Sequence, residues 1–171
     1  MNKFILFIAL HIFSLNLHAE QVKINITAKV LDSTCTISSN STDFVVNMNS
    51  GNLRGQDIGV PFGDTPFSIS LDNCPESIKT AHVKFSAESD PLIPNLLKIT
   101  SGSDMDAKGI AIGLYDSKKN NLNITSNNGD YPIDKVNNNN VFNFSAAYVK
   151  TSNDFTPGKV VAIAYFDITY D

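Results

Sequence analysis

The chain has 171 residues, 13 basic against 17 acidic, a formal net charge of −4, 42% hydrophobic residues and no tryptophan. No basic cluster and no interleaving of basic with aromatic residues occurs, so the composition argues against a nucleic-acid partner. Two cysteines and three histidines leave a small inventory for metal or nucleophilic chemistry.

Lys3, the apolar run of residues 4–10 and Leu17-His18-Ala19 have the charge, hydrophobic core and small-residue end of a secretory signal peptide over residues 1–19. A membrane anchor is the weaker reading, because His11, Ser14, Asn16 and His18 break the apolar run well short of about 20 residues. Removing residues 1–19 takes Lys3 away and leaves 12 basic residues against 17 acidic ones in a mature chain of 152. That length suits one domain with a workable core. An exported chain meets an oxidising compartment, so Cys35 and Cys74 are expected to pair. Closing so long a loop is worth roughly 4 kcal/mol on the chain-entropy argument.

Val22, Ile24, Ile26, Ala28 and Val30 then alternate with Lys23, Asn25, Thr27 and Lys29. This period of two puts one apolar face on an extended strand. Thr36-Ile37, residues 44–48 and residues 66–71 read as the next strands, with a Gly- and Asp-rich loop over 49–65. Residues 82–87 place Val83, Phe85 and Ala87 inward, and residues 96–99 make a further short strand. Residues 109–116 (GIAIGLYD) alternate again, and residues 123–140 are asparagine-rich and expected to be mostly loop. Within them, residues 137–140 form a polar patch that cannot bury itself. Residues 141–150 put Phe142, Phe144, Ala146 and Tyr148 on one face, and after the turn of residues 155–158 a long strand is predicted over 159–170. About seven short strands separated by turn residues, with no capped 3.6-residue period, predict an all-β sandwich.

Enzyme chemistry fails on inventory. His82 is the one histidine left after the leader and, at the start of an alternating strand, reads as structural or solvated; with both cysteines bridged no Cys–His or Ser–His–Asp set can form. Asp104 and Asp106 lack the glycine and closing glutamate of a calcium loop, so no metal and no cofactor is expected. The N-x-S/T matches at Asn25, Asn40, Asn123 and Asn143 carry no reading in an asparagine-rich chain.

The final strand has Val160, Ala162, Ala164, Phe166, Ile168 and Tyr170 on one face, and Val161, Ile163 and Tyr165 on the other before Asp167. With the chain read as ending at Asp171, nothing in it is left to pair with that strand's outer edge, an aggregation hazard unless something covers it. Pattern alone leaves two readings of residues 22–30: first strand of this domain's own sandwich, or a strand given to a neighbour.

The chain resembles the chaperone–usher pilins, in particular the minor subunits of type 1-like fimbriae. The resemblance rests on the alternating extension before Cys35, on PFSISLDNC (residues 66–74) and on FSA (85–87) followed by D-x-x-x-x-N-L-L (90–97). It rests further on GIAIGLYD, on FNFSAAYVKT (142–151) and on TPGKVVAIAYFDITYD (156–171), with Tyr170 penultimate and Gly158 fourteenth from the end. The resemblance implies an incomplete immunoglobulin-like sandwich lacking its last strand, with a pilin domain over 35–171 and a donor-strand extension over 20–34. Val22, Ile24, Ile26, Ala28 and Val30 would be the donor residues. Gly158, Val160, Ala162, Ala164, Phe166, Ile168, Tyr170 and Asp171 would form the acceptor groove and chaperone-binding strand.

Such a groove is filled first by a periplasmic chaperone and then, at an outer-membrane usher, by the extension of the neighbouring fimbrial subunit, a form of β-strand addition. The implied role is a structural subunit of an adhesive fimbria, a minor tip or adaptor subunit, with no small-molecule substrate. A major rod subunit is the alternative. A carbohydrate-binding adhesin fits less well, because 152 residues and no tryptophan leave no room for a lectin domain beside a donor extension. Ala28 departs from the pattern, since many members carry glycine there.

Overall fold

The computed structural model describes residues 33–100, 105–136 and 140–171. The signal peptide and the donor residues 22–30 lie outside the described residues, as do Asp104 and residues 137–139. The described chain forms β1 (Thr36–Ile37), β2 (Pro61–Asp72), β3 (Thr80–Ala87), β4 (Ile110–Asp116), β5 (Gly129–Pro132), β6 (Asn140–Lys150) and β7 (Ala164–Tyr170). They build two sheets, ordered β1-β2-β6-β4 and β5-β3-β7. Every ladder between these strands is antiparallel.

The alternation read in the sequence fills the space between the sheets. Ile69 and Leu71 of β2, Ile110, Ile112 and Leu114 of β4, and Phe142, Phe144, Ala146 and Tyr148 of β6 are buried from one side. Ala81, Val83 and Phe85 of β3 are buried from the other. The sheets meet through aromatic rings: Phe85 packs edge-on to Phe144 with centroids 5.0 Å apart, and edge-on to Phe67 at 6.3 Å. Such pairs add about 0.5–1.5 kcal/mol beyond area burial. Cys35 and Cys74 are disulfide-bonded and hold the start of β1 to the end of β2.

Besides residues 44–48, which join no ladder, four elements depart from the sequence reading. β2 starts at Pro61, inside the expected loop, because a bulge between Phe62 and Thr65 lets the strand stay paired with β6. Gly63 in that bulge has φ 66°, a conformation that favours glycine. Residues 96–99 form no strand. Asp90 instead accepts the N–H groups of Leu92 and Ile93 at 2.9 Å each, and Leu97 exchanges two backbone bonds with Ile112. This loop lays Leu96 and Ile93 over Ala111 and Val149, so β4 is buried on both faces.

β5 arises within the asparagine-rich stretch expected to be loop. Beyond it, Asn127 acts as a strand neighbour: its side chain accepts from the Phe85 N–H at 2.7 Å and donates to the Phe85 carbonyl at 2.8 Å. Asn140, placed by sequence in an unburied patch, opens β6, is 3% exposed, and accepts the Asp134 N–H at 2.6 Å. The last strand is shorter than predicted. Its partner β3 ends at Ala87, opposite Ala164, before the chain turns away at Asp90-Pro91. Residues 159–161 are therefore held by Met105, Ala107 and Thr100.

Candidate strand-accepting groove

β7 is an edge strand, and the direction of its peptide groups defines the site. The Asp171 N–H donates to the Thr80 carbonyl and its carbonyl accepts from Lys79, so odd-numbered residues turn their backbone toward β3. Farther back, Lys159 donates to Met105 and accepts from Ala107, and Val161 accepts from Thr100. These are odd-numbered too, so the same parity runs through the whole segment. The N–H and C=O groups of Val160, Ala162, Ala164, Phe166, Ile168 and Tyr170 thus face the other edge. Among the described residues no backbone partner meets them there.

The same residues turn their side chains inward. Val160, Ala162, Phe166, Ile168 and Tyr170 pack half-buried against the core, while Ala164 is exposed. Burial raises the Tyr170 phenol above its ordinary 10.0. Gly158 is held by packing of backbone on backbone. A Cβ there would lie 2.4 Å from the Met105 carbonyl oxygen and 2.5 Å from the Ala107 nitrogen.

The opposite wall was not among the residues singled out by sequence. Phe44, Val46 and Met48 are half-buried while Val45 is 79% exposed, the alternation of a strand, yet residues 44–48 join no ladder. Phe44 packs on Phe67 at 5.8 Å, and Val46, Met48 and Leu53 rest on the core. Met48, Leu53 and Arg54 meet Gly158, Val160 and Tyr148 around a cavity of about 340 Å³. Tyr148 is fixed there by donating to the Asn49 carbonyl at 3.0 Å, and burial raises its pKa. The strand-like alternation of 44–48 without any partner strand was the signal in the sequence.

Asp171 lies outside this groove. Its backbone stays on β3, and its carboxylate approaches Nε2 of His82 at 3.3 Å. His82 Nδ1 meets the Asp130 carboxylate at 2.7 Å. The hydrogen bond to Asp130 is the main cause of a His82 pKa raised above 6.5; desolvation opposes it and Asp171 reinforces it. Among the described residues no group of three or more His, Cys, Asp or Glu side chains is arranged to hold a metal.

The body is all-β, with two sheets and β7 at an edge, and the chain matches the family described as fimbrial protein over residues 24–171. It belongs to the fimbrial protein family. The chain is 31% identical to the fimbrial subunit type 1 of Salmonella typhimurium, over 86% of this chain and 82% of that one. It is 29% identical to the probable major fimbrial subunit LpfA of Escherichia coli O157:H7, over 86% and 83%. A solved chaperone–usher pilus structure shares the fold, with a TM-score of 0.64 at 22% identity, covering 91% of this chain and 98% of that one. This fimbrial subunit has the immunoglobulin-like fold of chaperone–usher pilins and is a structural protein, not an enzyme. Its family implies a surface fimbrium reached by export through the periplasm.

Proposed function

We propose that this fimbrial subunit polymerises by donor-strand complementation. Residues 20–34 form the donor extension, released from the signal peptide of residues 1–19, and the groove beside β7 in the domain of residues 35–171 is the acceptor. The observation that carries this reading is the edge of Val160 to Tyr170, unpaired among the described residues and set beside half-buried apolar side chains and an unladdered facing wall. A strand laid along that edge satisfies backbone donors and acceptors while its alternate side chains complete the core.

Val22, Ile24, Ile26 and Val30 would bring on the order of 6–12 kcal/mol gross, at about 1.5–3 kcal/mol for each buried side chain. A periplasmic chaperone would occupy the groove first, and an outer-membrane usher would pass it to the neighbouring subunit. The role is that of a minor tip or adaptor subunit of an adhesive fimbria, which the irregular, asparagine-rich second half supports. A major rod subunit is the second reading, favoured by the 29% identity to a probable major subunit.

Deleting residues 20–32 tests the donor role. The truncated subunit is expected to remain soluble with its chaperone and to accept a neighbour's strand, but to insert into no other subunit. Incorporation of the truncated subunit through its own N-terminal side would overturn the reading.

A further inference from the structure

The side of β7 and of the segment leading into it that is turned away from the groove carries the exposed apolar side chains Val161, Ile163 and Tyr165, which are 38%, 56% and 68% accessible. Beside Tyr165 on β3 stands only Ser86, so the ring is left uncovered. The next residue on this face is Asp167. It lies opposite Lys84, yet among the described residues it makes no ion pair, whereas Asp130 and Asp171 are both engaged by His82. The surface therefore runs from apolar at Val161 to acidic at Asp167, directly alongside the unpaired edge.

We propose that this outer face is a second recognition surface, read by the polar side of the extension of another copy of this chain. The proposal rests on the donor-strand reading in its rod form, in which one copy of this chain follows another, and adds to it a set of outer-face contacts. Parity allows only shifts of two residues, since a slip of one would turn Lys23 and Lys29 into the core. Val22 opposite Ile168, continuing to Val30 opposite Val160, seats all five apolar donor positions along the groove. In that antiparallel register Lys23 falls opposite Asp167, Asn25 opposite Tyr165 and Thr27 opposite Ile163. Lys29 falls opposite Val161, where its aliphatic stem covers an apolar side chain.

The same register brings Asp32 opposite Gly158, at the cavity lined by Arg54, so both ends match in charge. The antiparallel direction agrees with every ladder between the named strands and with the more stable hydrogen-bond geometry. A parallel strand would instead put Lys29 against Asp167. Cross-strand pairs on one face are the unit of sheet specificity, so Asp167 selects a donor with a base one residue after its first apolar position.

The test uses the mature chain of residues 20–171 and follows exchange of fluorescently labelled copies between complexes. Lys23→Glu and Asp167→Lys are each expected to speed dissociation on the order of fivefold at low salt, the scale of an exposed ion pair lost or reversed. Combining them should restore the wild-type rate to within about twofold, and the coupling should fade in about 1 M salt. Lys29→Glu should have little effect and no coupling to Asp167. Absence of rescue in the double variant, or coupling of Asp167 to Lys29 instead, overturns the proposal. So does a wild-type chain that joins other fimbrial subunits but never its own copies. If deletion of residues 20–32 abolishes association while Lys23 and Asp167 remain uncoupled, the outer-face proposal alone falls. If association survives that deletion, the donor-strand reading falls with it.

Discussion

His82 sits between the carboxylates of Asp130 on β5 and Asp171 after β7, so one ring ties both neighbours of β3 together at their ends. Lys84 on the same strand and Asp167 across from it are the other charged groups on this face. Because the folded state raises the His82 pKa above 6.5, the charged ring favours folding. That stabilisation is present in full below the unfolded value and is lost as pH rises through the folded one. Thermal melts of the mature chain across pH 5.5 to 8.5 (about the range in which imidazoles titrate) should show stability falling with pH, and His82→Gln should flatten that slope. The sequence marked His82 as structural or solvated, which was legible from a lone histidine on an alternating strand. Its two partners were not, because Asp130 lies in an asparagine-rich stretch read as loop and only the β3–β5 register brings it near.

Among the elements, the segment leading into β7 depends on Gly158. Residues 105–107 approach its backbone so closely that a methyl group has no space, and here the obstruction is backbone rather than a flexible side-chain end. Gly158→Ala should therefore cost about 1–3 kcal/mol, read as a lower denaturant midpoint. It should also loosen the cavity shared by Val160 and Met48, slowing donor insertion. Strands with a buried face were legible throughout: β3, β4 and β6 appear where alternation placed them. The misreadings share a cause, which is that alternation reports burial and not pairing. Residues 44–48 and 159–163 alternate because one side touches core or groove, yet the first joins no ladder and the second has outrun β3. β5 was hidden for the opposite reason, since GDYP carries Gly and Pro in four residues and its pairing continues through an asparagine side chain.

For the molecule as a whole, the disulfide closes the span that contains the second groove wall. Cys35 and Cys74 are 39 residues apart, and between them residues 44–60 are held by few backbone bonds. Replacing both cysteines by serine should lower stability by about 2–5 kcal/mol in denaturant melts. It should reduce donor uptake as well, because Val46, Met48 and Leu53 lose their anchored position. The same covalent link has a mechanical consequence. Tension applied to the segment before Cys35 crosses the disulfide to Cys74 and reaches β3 a few residues later, which is paired along its length with β7. The 39-residue span is thereby taken out of the line of force, and the two-residue ladder of β1 never bears it. With subunits joined by donor strands as proposed, load would pass from donor to β7 to β3 to the next donor, with the sulfur–sulfur bond as the bypass that keeps each groove wall from being peeled open under pull.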